Sequence, residues 1–233
     1  MDFLDALRAK LDDFGALLAI ADEKDLAAPV PSCGSWTLYE LADHLGRGST
    51  WVATAIAENR GDHYGDPAPT GPSELRAWFA ARTDEVVLAL SADPETPAWT
   101  FTEAMPQNIG FWRRRRAQET SMHLWDAQNA LGSAEPFDIA LAVDGVSEVF
   151  ELFAPRLIFR GLANEPATAI RVTATDAARS WTYGPGEPVA EVSATASDLL
   201  LLLWARKAPS DQEIDWQGDR EAGLRVLAQP LVP

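Results

Sequence analysis

The hydrophobic period changes partway along the chain, and that change limits what it can fold into. Through the first 130 or so residues apolar side chains recur three and four apart, as on one face of a helix. Leu4, Leu7, Leu11, Phe14 and Leu18 predict a helix from about Asp2 to Ala21. A second helix opens at SWTLYELADHLG, where Thr37 and Glu40 have capping-box spacing and Leu38, Leu41, Leu45, Gly48 and Val52 continue the stripe. A third follows from a Ser73 cap. Residues 91–110, with Pro94, Pro97, Pro106 and Gly110, read as a long irregular connection, and a fourth helix runs from about Phe111 to Leu131 before Gly132.

After SAEP, at 133–136, a further helix (IALAVDGVSEVFELF) gives way to alternating runs: AIRVTAT, RSWTYG and VAEVSAT. Their close spacing, with Asp176 and the glycines at 184 and 186 between them, predicts antiparallel hairpins. An apolar helix, DLLLLLWARK, a short strand, EIDWQG, and a last helix from Asp219 complete the chain. The expected fold is α+β: a four-helix bundle over residues 1–135, then a smaller α+β domain with an antiparallel sheet over 136–233.

Composition narrows the function classes. Thirty-five acids against 19 bases give a net charge of −16, which argues against duplex nucleic acid or an anionic membrane as partner. The single cysteine, Cys33, excludes an internal disulfide and fits a reducing cytoplasm. No apolar run is long enough to span a bilayer, and the acidic amphipathic start is unlike a signal peptide.

Three histidines are present. His123 follows Glu119 by four residues, so the two share a helix face and can grip one ion. His44, three and four residues from Leu41 and Gly48, points inward from the second helix. Two histidines and a glutamate form the ligand set of a catalytic zinc site with an open position, and the set also suits iron or nickel. An exposed helix pair and a core histidine would explain the same residues without a metal. Asp126 shares the face of Glu119 and His123 and is placed to orient a ligand, unless it is a solvated acid near the helix end. Arg113–Arg116 span a full turn, so they cannot all face inward; one or two could neutralise a carboxylate. Arg206, after the apolar helix, is a candidate anion anchor at the active site, or a cation at a helix C-terminus. Cys33 has no base nearby in sequence, and His63 sits in an exposed loop.

SWTLYELADHLGRGSTW and RRRRAQETSMHLWDAQNALG resemble the second- and fourth-helix signatures of the mycothiol-dependent maleylpyruvate isomerase family, a branch of the DinB-like metal-binding bundles. The closing EIDWQGDREAGLRVL resembles the end of that family's C-terminal domain, which is similar to sterol-carrier-protein-2 (SCP2) folds. The resemblance implies metal ligands at His44, Glu119 and His123, a divalent metal such as zinc, and mycothiol as thiol cofactor. It implies a cytoplasmic isomerase, or a thiol S-transferase, acting on a small electrophilic substrate that can carry a carboxylate. The rival expectation is a non-catalytic protein stapled by its metal, with Leu199–Leu203 lining an apolar ligand site; a core helix explains that run equally.

Overall fold

The computed structural model describes all 233 residues, and contacts divide the chain into two compact units, Met1–Glu135 and Pro136–Pro233. In the first, α1 (Phe3–Ile20), α3 (Leu38–Glu58), α4 (Pro72–Leu90) and α5 (Ile109–Ala130) are the long helices, with a single turn, α2 (Glu23–Leu26), between the first two. Helix α1 packs on α4 and α5, and α3 on α4 and α5, which makes the expected four-helix bundle. The predicted stripe of α1 is its buried face, Leu4, Leu7, Leu11, Phe14 and Leu18.

Local chemistry sets the helix ends that matter for the site. Thr37 caps α3 in a capping box: its hydroxyl accepts from Glu40 N, and the Glu40 carboxylate accepts from Thr37 N at 2.7 Å. This fixes where α3 starts and so which residues it turns inward. Helix α4 departs from expectation. Its N-cap is Gly71 and Pro72 opens it, while Ser73 donates to the adjacent Glu74. Proline is favoured there because the first helical N–H has no partner to lose and its φ is already helical. At the end of α5, Ser133 N bonds Gln128 O at 2.8 Å and Gly132 N bonds Asn129 O at 3.1 Å, with Gly132 left-handed at φ +73°. That is the glycine stop read from the sequence.

The second unit begins with α6 (Ile139–Glu148), which runs through a π-helical turn, Val149–Phe153, into α7 (Ala154–Phe159). Pro155 explains the wide turn. It lacks an N–H and its ring would press on the carbonyl four residues back; the π turn, closed by Ala154 N to Val149 O, makes room. Strands β1 (Ala169–Ala174), β2 (Arg179–Tyr183), β3 (Pro188–Ala194) and β4 (Asp215–Gly218) form one sheet in the order β2-β1-β3-β4.

The sheet corrects one expectation. β1–β2 and β3–β4 are antiparallel, but β1 and β3 pair in parallel, with Val172 opposite Val192, and β2 never neighbours β3. The alternating runs are strands as predicted; the all-antiparallel sheet is not formed. β2 ends beside the start of β1, and residues 184–187 then carry the chain across that start to β1's other edge. Gly184 allows the crossing. Its φ is +106°, and a Cβ there would sit 2.3 Å from Thr168 O.

Helix α8 (Ala196–Leu203) packs on α6 and against β1 and β3, and α9 (Arg220–Leu227) lies on β3 and β1. Leu199–Leu203 are all buried, as expected of a core helix. No helix is long and apolar enough to cross a membrane.

Candidate metal centre

Helices α3 and α5 bring His44, Glu119 and His123 together. One ligand atom from each lies within 4.8 Å of the others, and His44 Nε2 stands 3.1 Å from Glu119 Oε1. The imidazoles meet edge to face, 5.1 Å between ring centres. Glu119 and His123 are one turn apart on α5, as their spacing requires. His44 reaches them because α3 starts at Leu38 and buries Leu41 and Leu45, turning position 44 toward α5. The cluster is partly open: the side chains of His44, Glu119 and His123 are 36%, 21% and 12% exposed.

Charge around the cluster is arranged in two layers. Burial alone would push the Glu119 carboxyl upward, but the Arg116 guanidinium beside it, the His44 hydrogen bond and Arg115 together hold it well below the usual carboxylate range. Arg116 is 1% exposed; its Nη1 donates to Glu119 Oε2 at 3.0 Å. Of the four consecutive arginines, Arg115 and Arg116 are buried, whereas Arg113 donates to Leu90 O and Ala92 O. For His123, burial lowers the pKa and outweighs the opposing hydrogen bond that its Nδ1–H donates to Asp126, so the ring is neutral and able to ligate at neutral pH.

Asp126 is fully buried, not a solvated acid at a helix end. Its Oδ2 lies 3.0 Å from His123 Nδ1. That contact places the proton on Nδ1 and leaves the lone pair on Nε2. The same carboxylate accepts from Ser32 Oγ at 2.5 Å and from Cys33 Sγ at 3.4 Å. Cys33 therefore has ionisable neighbours that its local sequence does not reveal, since Asp126 is 93 residues away along the chain. Ser32 and Cys33 belong to a turn held by Val30 N to Trp36 O and Trp36 N to Cys33 O. That turn lays the Trp36 ring 4.9 Å from His44 and 6.4 Å from His123.

Nothing in the local sequence pointed to Ser32, whereas Trp36, one of four tryptophans flanking the two signature segments, is the one whose ring lies against both imidazoles. The sequence also left open which arginine turns inward, although the i,i+3 spacing of Arg116 and Glu119 carried that signal. His63 is exposed and apart from the cluster. Arg206 lies in the second unit, past the end of α8. Its Nη1 donates to Trp204 O at 2.8 Å and its guanidinium lies 5.6 Å from the centre of the Trp204 ring.

A solved structure of a mycothiol-dependent maleylpyruvate isomerase superposes with a TM-score of 0.69 at 13% identity, covering 92% of this chain and 91% of that one. A histidine-to-alanine mutant of such an isomerase gives 0.66 at 13%, covering 86% of each chain. At that identity the likeness is one of fold. An uncharacterized protein of Mycobacterium tuberculosis, found in two strains, is 25% identical over 262 aligned positions, covering 97% of this chain and 94% of the relative. Family models match residues 7–128 as the mycothiol maleylpyruvate isomerase N-terminal domain and residues 140–225 as the MDMPI C-terminal domain, and the chain therefore belongs to the mycothiol maleylpyruvate isomerase family.

Proposed function

We propose that this chain is a metal-dependent isomerase that works with a low-molecular-weight thiol, mycothiol, on a small electrophilic substrate of the maleylpyruvate type. The observation that carries the reading is the partly open cluster of His44, Glu119 and His123, set in a chain that belongs to this family over both of its domains. The donors suit a divalent ion such as zinc: two neutral-capable nitrogens and an anionic oxygen, three protein ligands with one side open. Tetrahedral zinc places neighbouring ligand atoms roughly 3.3 Å apart, and His44 Nε2 and Glu119 Oε1 are already 3.1 Å apart.

A divalent ion held there would supply a positive charge that favours thiolate over thiol at neutral pH, and so a nucleophile for reversible addition across a cis double bond. The chain's own residues have separate tasks. His44, Glu119 and His123 bind. Arg116 keeps Glu119 anionic, because its guanidinium is paired to that carboxylate in a buried setting. Asp126 holds the Nδ1 proton of His123 and so aims Nε2. Trp36 covers one side of the imidazoles and limits the access of water.

The test is to measure metal in the purified protein and then assay it with mycothiol and maleylpyruvate. About one divalent ion per chain, loss of turnover on chelation and recovery with zinc are expected. His44→Ala should lose most of the metal. Full occupancy in that variant, or undiminished turnover by metal-free protein, overturns the reading. Accumulation of a stable thioether in place of the trans isomer would make the protein a thiol S-transferase at the same site.

A further inference from the structure

We propose that Arg116, seated in the space left by Gly48, is a positioning residue that fixes the distance between the ligand on α3 and the two ligands on α5. The inference rests on the metal reading of the triad. One ligand, His44, comes from α3, and Glu119 and His123 come from α5, so the geometry of the centre depends on how these helices are held at that level.

Arg116 spans the two helices there. Its Nη1 donates to Glu119 Oε2 at 3.0 Å, within α5. Its Nη2 donates to Leu45 O at 3.1 Å and Ser49 Oγ at 3.2 Å, both on α3. Leu45 follows His44 directly, so the guanidinium is bonded to the backbone beside one ligand and to the carboxylate of another. The planar fork gives these bonds fixed directions, which a point charge cannot do.

The burial shows that this position is specific. Arg116 is 1% exposed and its Nε has no hydrogen-bond partner, so the side chain gives up solvation to place its two Nη groups. Gly48 is the residue that admits it: a Cβ at position 48 would lie 2.8 Å from Arg116 Nη1. Glycine is otherwise unfavourable in the middle of a helix. Asp126 fixes the rotation of His123, while Arg116 fixes Glu119 relative to α3; the two act on different ligands.

The experiment uses cobalt(II) as probe, with affinity from chelator competition and coordination geometry from the visible d–d bands. Wild type should bind one cobalt(II). Arg116→Gln should weaken binding by about 10- to 100-fold and alter the d–d spectrum. Arg116→Lys, which keeps the charge but not the fork, should recover affinity only in part. Gly48→Ala should reproduce the Arg116→Gln defect, because the methyl displaces the end of a flexible side chain while the helix itself gains a better helix former. Circular dichroism and thermal melts establish that each variant is folded. If Arg116→Gln does not fold, Gly48→Ala decides the question. Wild-type affinity and spectrum in folded Arg116→Gln or Gly48→Ala overturn the proposal, as does full rescue by Arg116→Lys, which would reduce the role to charge. Failure of the wild type itself to bind cobalt(II) or zinc overturns the metal reading on which the proposal stands, and is distinguishable from those results.

Discussion

Asp126 holds His123 by Nδ1 at 3.0 Å, one turn along the same helix and wholly out of contact with solvent. The pair has the form in which a carboxylate fixes the tautomer and plane of a metal-ligating histidine. Here the carboxylate also accepts from Ser32 and Cys33, so the turn that carries Trp36 and the helix that carries His123 share one anchor.

Asp126→Asn tests that anchor. The amide cannot accept through both of its heteroatoms, so either His123 and Cys33, which share Oδ2, or Ser32, on Oδ1, lose their acceptor. Metal affinity should fall about 10-fold or more, measured by competition with a chelator. Unchanged affinity in a folded variant would make Asp126 a latch for the turn and nothing else.

Metal-free protein should show a pH dependence of stability. His123 has its folded pKa lowered, chiefly by burial, so the unfolded chain binds more protons as pH falls through the usual histidine value of about 6.5. The stability of metal-free protein should therefore fall on acidification from pH 7 toward 5, by at most about 1.4 kcal/mol per pH unit from this one group. The depressed pKa of Glu119 acts lower, since its contribution persists until pH drops below the ordinary carboxylate value. Urea melts of metal-free wild type and His123→Asn across this range check the sign: the variant should show the shallower slope, and equal slopes would contradict it.

Cys33→Ser should keep turnover with mycothiol. The serine hydroxyl can donate to Asp126 as the thiol does at 3.4 Å, so the turn should survive. Glu119→Ala should lose turnover even with thiol in excess, because the proposed metal site would lose its anionic donor. Loss of activity in Cys33→Ser with normal metal content would mean that the nucleophile belongs to the protein.

Gly184→Ala and Gly186→Ala separate steric from conformational cost. Both glycines have positive φ, +106° and +79°, but only at 184 would a Cβ meet backbone, 2.3 Å from Thr168 O. Gly186→Ala should cost about 1–2 kcal/mol, the penalty of a left-handed conformation alone. Gly184→Ala should cost clearly more, because the crossover past the start of β1 must shift. Equilibrium urea unfolding of the two variants gives the comparison; equal losses would count against the crossover as the tight point.

Features that close within a few residues are written in the local sequence. The buried stripe of α1, the Thr37–Glu40 cap and the Gly132 stop depend on hydrogen bonds and faces three to five positions apart, and the sequence states those directly. Glu119 and His123 share a face for the same reason. Alternation marked β1, β2 and β3 as strands, but period two says nothing of which edge a strand finds; the parallel β1–β3 pairing depends on Gly184 passing the start of β1. The meeting of His44 with Glu119 across 75 residues, the inward turn of Arg116 rather than Arg113 to α3, and the closure of Ser32 and Cys33 on Asp126 come from packing between distant segments. Those contacts are made by side chains that no local backbone bond connects, and they form because helix packing brings α3, α5 and the Ser32–Cys33 turn together.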